Sequence, residues 1–290
     1  MRYRLFGWAL PAALLLGACS PALTPTATAP PATRTLRTTP VPTDIPLSTW
    51  AQPSPDGLWL AEGSMEGPWL EGVQEFYRVT MLVRSTDRAR LWPVADETST
   101  FGLGYTTPAI FRWSGDGRSL YFGYSPVPDG CALFVNFEDL YRLDLSTGAI
   151  TEMLPPTRSL VIAMSPDEES LAFIEWEEAP GLVLQNIDTG EEQRVPLSAA
   201  QIDQAGGMIW SPDGSALLVT IAHSPCLPPD WSHSIVWVDL TTLETRVLID
   251  HDIRRFGVAE WADPARVLLW DESGAGWVLD PVSAELTAMP

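Results

Sequence analysis

The chain has 290 residues, of which 17 are Lys or Arg and 37 are Asp or Glu, so its formal net charge is −20. This acidity excludes nucleic acid and anionic lipid surfaces as partners for the bulk of the protein, because both attract positive surfaces. The 13 Trp and 27 Pro residues are typical of a turn-rich β protein with an aromatic core.

The N-terminus has the pattern of a secretion signal. Met1-Arg2-Tyr3-Arg4 is a short positive region, and residues 5–16 form an apolar run that is too short to cross a membrane. The run ends in Leu16-Gly17-Ala18-Cys19, which resembles the lipobox of bacterial lipoproteins. This resemblance implies a signal peptide over residues 1–18, cleaved before Cys19, with a lipid on the Cys19 sulfur. The alternatives are an ordinary secreted protein cut near the same place and an uncleaved anchor.

The segment that follows is predicted to be a tether. Residues 20–49 contain seven Pro, nine Thr and four Ala. Such a segment has too little apolar surface to offset its ordering entropy, so we expect residues 19–47 to be extended and disordered. The globular domain is then expected over residues 48–290. Removing residues 1–18 takes Arg2 and Arg4 from the 17 basic residues, which leaves 15 against 37 acidic ones and a net charge of −22.

A four-residue turn recurs five times in residues 48–290. It reads Ser-Pro-Asp-Gly or a variant of it, at positions 54–57, 114–117, 165–168, 211–214 and, degenerate, 262–265. Three residues after each turn there is a leucine: Leu60, Leu120, Leu171, Leu217 and Leu268. The copies are 60, 51, 46 and 51 residues apart, which is the length of a four-stranded propeller blade. Because Ser, Pro, Asp and Gly each favour this turn, we interpret its aspartates as turn formers rather than as metal or catalytic ligands.

A second turn follows in each repeat and is clearest in Leu143-Asp144-Leu145-Ser146-Thr147-Gly148. One unit is therefore predicted to be strand A, Pro-Asp turn, strand B, loop, strand C, Thr-Gly turn and strand D. With both turns, residues 48–290 resemble the TolB-like β-propeller repeats, which are related to WD repeats. The resemblance implies an all-β fold, a five-bladed β-propeller with four antiparallel strands in each blade. It says little about function, because that family includes scaffolds, binding modules and accessory domains of peptidases.

The insertions point to a binding face. The two turns lie 30, 31 and 29 residues apart in blades one, two and four, but 22 and 19 apart in blades three and five. The extra residues fall in the loop between strands B and C, and insertions confined to one face are where repeat proteins usually bind. The residues predicted to form this binding face are Trp69, Phe76, Asp129, His223, Asp230, Trp231 and His233.

Two cysteines remain if Cys19 carries a lipid. Cys131 and Cys226 fall in the long B–C loops of blades two and four. An even pair in an oxidising compartment favours a disulfide, which would tie the two loops together over blade three. Two separate thiols are the alternative, because the blades are not adjacent. A zinc site made of Cys226, His223 and His233 is disfavoured, since the spacing fits no closed site.

Catalytic motifs are missing from the sequence. It has no Gly-x-Ser-x-Gly, no His-Glu-x-x-His and no phosphate loop. The enzyme alternative is a carbohydrate-active, five-bladed glycosidase, which needs two carboxylates near the propeller axis. The predicted innermost strands offer only Glu260, with Asp203 and Asp252 at their approaches.

The expected function is therefore that of a lipid-anchored, extracytoplasmic binding or assembly module of the bacterial cell envelope. We expect no catalytic residue, no cofactor and no metal. The expected partner is an envelope protein or a glycan, and the expected contact with the membrane is through the lipid anchor alone.

Overall fold

The computed structural model describes residues 46–71, 74–100, 106–128, 130–156, 158–176, 180–197, 202–227 and 229–289. The predicted signal peptide, Cys19 and nearly all of the predicted tether lie outside the described residues. The described residues form twenty β-strands. In chain order they are β1 Pro46–Pro53, β2 Trp59–Glu71, β3 Gln74–Ser85, β4 Leu91–Thr100, β5 Thr106–Trp113, β6 Ser119–Pro126, β7 Leu140–Asp144, β8 Ile150–Leu154, β9 Ile162–Met164, β10 Ser170–Trp176, β11 Pro180–Asn186, β12 Glu192–Val195, β13 Gln204–Trp210, β14 Ala216–His223, β15 Ser232–Asp239, β16 Thr245–Asp252, β17 Gly257–Asp263, β18 Arg266–Trp270, β19 Gly276–Leu279 and β20 Leu286–Ala288.

The strands form five separate antiparallel sheets, each made of four consecutive strands. Blades one to five are therefore β1–β4, β5–β8, β9–β12, β13–β16 and β17–β20. Strand β13 contacts both β9 and β17, so the first strand of a blade lies innermost. The prediction of a five-bladed β-propeller is confirmed. Within the described part of the chain, no helix is long and apolar enough to cross a membrane.

The Ser-Pro-Asp-Gly turns are closed by their own side chains. Ser54 Oγ donates to Asp56 Oδ1 at 2.6 Å and accepts from the Trp59 backbone N–H at 2.9 Å. The same serine–aspartate contact recurs in blades two, three and four, and the four turn serines are all buried. The interpretation of these aspartates as turn formers is confirmed, because their carboxylates are already used as turn acceptors.

The two kinds of turn lie on the same side of the propeller. Leu145 N–H, in the C–D turn of blade two, donates to the carbonyl of Arg118, in the A–B turn of the same blade, at 2.9 Å. Blades one, three and four have the equivalent bond. We call this side the turn face. Because consecutive strands are antiparallel, the B–C loops and the D–A connections lie on the opposite side, which we call the strap face.

Buried apolar clusters fill the spaces between successive blades. Four clusters join blades one and two, two and three, three and four, and four and five. The blades in the middle of the chain are accordingly buried on both faces. In blade four, all eight residues of β14 are buried.

The first and last blades are buried on one face only. On β3, Val79, Met81 and Val83 are buried, whereas Thr80 and Leu82 between them are half-buried. Blade five has the same alternation on β18. No strand is exchanged between these two blades, and no buried cluster joins them within the described residues. Among the described residues, neither an exchanged strand nor a buried apolar cluster therefore links blade one to blade five.

The insertion in blade one differs from the predicted loop. Its extra residues lengthen β2 to 13 residues and β3 to 12, and the two strands stay paired out to Glu71 and Gln74. The prediction of a B–C loop is wrong for blade one, because cross-strand pairing along the insertion extends the hairpin instead. In blades two and four the described extra residues do form loops, over residues 127–128 and 130–139 and over residues 224–227 and 229–231.

Candidate binding face

A loop segment crosses the strap face from blade two to blade four. Cys131 and Cys226 are joined by a disulfide whose Cα atoms are 5.4 Å apart, across 95 residues of sequence. Beside the disulfide, Gln204 Nε2 donates to the Cys131 carbonyl at 2.7 Å, and the Leu133 N–H donates to Gln204 Oε1 at 2.9 Å. We call residues 130–138 the strap. Both ends of the Gln204 amide are used to hold its backbone.

The strap packs against the innermost strands of blades three and four. Asn136 Oδ1 accepts from the Ile162 N–H at 2.9 Å, and its Nδ2 donates to the Ile162 carbonyl at 2.7 Å. Phe134 lies so close to Gly206 on β13 that a Cβ atom on this glycine would overlap the Phe134 ring and its Cβ. The strap thus covers the axial side of two blades, and the missing side chain of Gly206 makes room for it.

Next to the strap, Trp231 is held between two other side chains. Its Nε1–H donates to His233 Nε2 at 3.1 Å, and the guanidinium of Arg255 lies 4.5 Å from its ring centroid. Arg255 also forms an ion pair with Glu272 of blade five. The indole is therefore fixed by one hydrogen bond and one cation–π contact, and it stays partly exposed on the strap face.

The three histidines of the chain all lie in blade four. The rings of His223 and His251 stack with centroids 3.8 Å apart and an interplanar angle of 23°. His223 Nε2 lies 2.8 Å from the hydroxyl of Ser234, which is completely buried and also accepts from the His251 backbone N–H at 2.9 Å. Because Ser234 has no exposed surface, this serine–histidine contact is structural and is not a nucleophile open to substrate.

Burial sets the ionisation of His233. The pKa of His233 is lowered because the ring is buried, and the nearby Arg255 and His223 lower it further, against a hydrogen bond to the Phe256 carbonyl. The imidazole is therefore neutral at pH 7. In the part of the chain that the structure describes, no group of three or more His, Cys, Asp or Glu side chains is arranged to hold a metal ion.

The predicted binding-face residues fall into two groups in the structure. Trp231 and Asp230 lie on the B–C loop of blade four, whereas His223 and His233 lie on β14 and β15 and are buried. These two histidines therefore act beneath the surface, as neighbours of Trp231 and Ser234. The second group is the pair Trp69 and Phe76, which are cross-strand partners near the tip of the blade-one hairpin. Asp129 lies outside the described residues.

The carboxylates considered for a glycosidase are mostly engaged elsewhere. Asp203 Oδ2 accepts from the Ser224 N–H at 2.6 Å, and Asp252 pairs with Arg254 at 2.6 Å. Glu260 is exposed on β17. A pocket of about 560 Å³ lies between the innermost strands of blades one and two, and its described lining, which includes Trp50, Gln52 and Ile110, contains no acidic residue.

Sequence reasoning missed the residues that hold the strap. Gln204, Phe134 and Asn136 have no motif around them, and their partners lie 26 to 73 residues away in sequence. One signal was available: Gly206 and Gly207 interrupt a strand, which often marks the close approach of another segment. A second was the restriction of all three histidines to residues 223–251.

No family model and no curated protein matches the sequence. Solved structures do match. A putative dipeptidyl aminopeptidase IV from Bacteroides ovatus is 12% identical with a TM-score of 0.52, over 83% of this chain and 39% of that one. An oligogalacturonate lyase in complex with manganese is 10% identical with a TM-score of 0.50, over 85% and 67%. TolB from Acinetobacter baumannii is 16% identical with a TM-score of 0.40, over 84% and 54%.

The aminopeptidase and the lyase match more than four fifths of the present chain with TM-scores of at least 0.50. The chain has a five-bladed β-propeller fold. It spans about half the length of TolB and about two fifths of the aminopeptidase. At such low identity the likeness concerns the fold alone, since one fold carries many activities.

Proposed function

We propose that this chain is a lipid-anchored, extracytoplasmic β-propeller of the bacterial cell envelope that binds an envelope partner, a protein or a glycan, through its strap face. The domain organisation is that of a signal peptide over residues 1–18, a lipidated Cys19 followed by a tether to residue 47, and the propeller over 48–290. The observation that carries the proposal is the strap, because a disulfide and two hydrogen bonds to Gln204 hold this partly exposed loop in one conformation on the same face as Trp231.

The distribution of exposed side chains supports this choice of face. Of the eleven large apolar side chains that the described residues expose, seven lie on the strap face: Leu70, Val127, Leu133, Leu160, Leu227, Ile253 and Trp270. The turn face instead carries the turn aspartates, whose pKa values are lowered by hydrogen bonds from serine hydroxyls and backbone N–H groups. Apolar and aromatic anchors held in one conformation are what binding surfaces use, because little entropy is lost when the partner arrives.

Binding is tested with the immobilised mature chain and solubilised envelope extract. We expect Trp231→Ala and the double variant Leu227→Ser/Ile253→Ser to lose the partners that the wild type retains. The matched control is Leu58→Ser/Val282→Ser, whose residues have nearly the same exposure, 60% and 74% against 63% and 75%, but lie on the turn face. Treating the extract with protease or with periodate separates a protein partner from a glycan. Equal retention by both double variants would refute the strap face as the binding surface.

The anchor is tested separately. Cells that express the full chain are given a labelled fatty acid, and we expect label on the wild type and none on Cys19→Ala. The Cys19→Ala chain should leave the membrane fraction, because the acidic propeller has no electrostatic attraction to anionic lipid. An unlabelled wild-type chain would refute the anchor and would leave the strap-face proposal standing.

A further inference from the structure

The two ring nitrogens of His233 have opposite roles. His233 Nδ1 lies 3.0 Å from the Phe256 carbonyl oxygen, which can only accept, so Nδ1 carries the proton and donates. Nε2 lies 3.1 Å from Trp231 Nε1, which can only donate, so Nε2 accepts. Both contacts are satisfied only when the ring is neutral. A second proton on Nε2 would place an N–H donor against the indole N–H donor and would break this bond.

The surroundings of His233 include charges of both signs. On the flanking strands, β14 contributes His223 and β16 contributes Asp250, His251 and Asp252, of which Asp252 is the cross-strand partner of His233. The connection to blade five contributes Arg254, paired with Asp252, and Arg255, paired with Glu272. The strap contributes the uncharged ring of Phe134, 6.0 Å away. The carboxylate of the cross-strand partner Asp252 is thus already paired with Arg254, which leaves less of its charge to stabilise an added proton on His233.

We propose that His233 is a proton-controlled latch on Trp231 and thereby regulates the strap-face binding site. With His233 neutral, the indole is bonded to Nε2 and lies against Arg255. With His233 protonated, the indole is released and the surface that it forms loses its fixed conformation. Partner binding is then tighter at neutral pH than in acid, because the neutral form is preorganised. The regulatory part rests on the proposed function, whereas the latch itself does not.

The latch is measured without any partner. In a ¹H–¹⁵N spectrum of the mature chain, the indole N–H resonance of Trp231 is identified by its loss in Trp231→Phe. We expect this resonance to shift as pH falls from 8 to 4.5, with its midpoint below the ordinary histidine value of about 6.5, since burial lowers the pKa of His233. In His233→Gln, which does not titrate in this range, the resonance should stay in place. His251→Gln is the control, and there the shift should remain.

A second measurement guards against misfolding of the buried variant. The ring resonances of His233 are followed in Trp231→Phe, where the neutral form has lost its indole donor, so the His233 pKa should rise. A Trp231 resonance that does not move, or that moves equally in His233→Gln, overturns the latch. Retention of envelope partners at pH 7.5 and at pH 5 tests whether the latch controls binding. If the Trp231 resonance shifts but no partner is retained at either pH, the proposed function is refuted and the latch still stands.

Discussion

Glu168 of blade three accepts a hydrogen bond from the backbone N–H of Gly115, in the equivalent turn of blade two, at 2.8 Å. The same carboxylate pairs with Arg112 at 3.1 Å. Glu168 occupies the turn position that glycine takes in blades one, two and four, and its φ of 64° lies in the left-handed region. The contacts of Glu168 with Gly115 and Arg112 of blade two therefore offset the energetic cost of a positive φ, which a glycine at this position would not have.

Two substitutions of Glu168 separate the stabilisation by its side-chain contacts from the cost of its left-handed backbone conformation. Glu168→Ala should lower the free energy of unfolding by about 1.5–3 kcal/mol, because it removes a charged hydrogen bond and keeps the left-handed backbone. Glu168→Gly loses the same contact but relieves the backbone, so it should be more stable than the alanine variant by about 1 kcal/mol. Denaturant unfolding compares the two. Equal stability would show that the left-handed turn costs nothing here.

Gly206 is predicted to be a position where a single methyl group displaces the strap. Gly206→Ala should cost about 1–3 kcal/mol, because its Cβ overlaps Phe134. Phe134→Ala keeps a Cβ and should not relieve the overlap, whereas in a Phe134→Gly background Gly206→Ala should cost much less. Gly257→Ala on β17 is the control, since its Cβ would meet its nearest neighbour at 4.0 Å. If the two glycines respond equally to substitution, the overlap is not the cause.

The disulfide should stabilise the strap more than the whole propeller. The chain-entropy model gives about 4–5 kcal/mol for a loop of about 100 residues, and measured gains are usually smaller. We expect Cys131→Ser/Cys226→Ser to lower global stability by less than this and to increase hydrogen exchange most strongly in the strap. Mass spectrometry of exchanged peptides measures both effects. Recovery of Cys131 and Cys226 as free thiols from protein purified under oxidising conditions would contradict the bridge itself.

The turn aspartates should contribute to the loss of stability in acid. Hydrogen bonds from the Ser211 hydroxyl and from Ser215 hold the pKa of Asp213 at about 2, below the ordinary 3.8. A depressed carboxyl pKa means that the folded state favours the ionised form. The stabilisation is therefore complete above about pH 4 and is lost as pH falls toward 2.

The variant Asp213→Ala tests whether this carboxylate contributes to the loss of stability in acid. The variant should be less stable at pH 6 and should lose less additional stability than the wild type as pH falls from 4 to 2, as measured by thermal unfolding. Asp188→Ala is the matched control, because the Asp188 carboxylate accepts no hydrogen bond from the residues that the structure describes. Parallel pH profiles for the wild type and Asp213→Ala would contradict the assignment.

The repeat was predictable because its signal is local. A Ser-Pro-Asp-Gly turn is favoured by the conformations of its own four residues, and the leucine behind it marks the strand that follows. Blade number, strand order and the structural role of Asp56 and its equivalents could therefore be predicted from the sequence. The nature of the blade-one insertion could not, because a long loop and a long hairpin differ in cross-strand pairing, such as that of Trp69 with Phe76, rather than in length.

The sequence by itself determined where the insertions lie and which residues, such as Trp231, stand in them. Only the tertiary structure decided which contacts hold these insertions in place. Gln204 accepts a hydrogen bond from the Leu133 N–H of the strap, 71 residues away in sequence, and His233 bonds to the Phe256 carbonyl, 23 residues away. Such contacts depend on how neighbouring blades are placed, and no local preference encodes them. The one-sided burial of blades one and five has the same origin, because whether the outer face of a blade is covered depends on where the other blades lie.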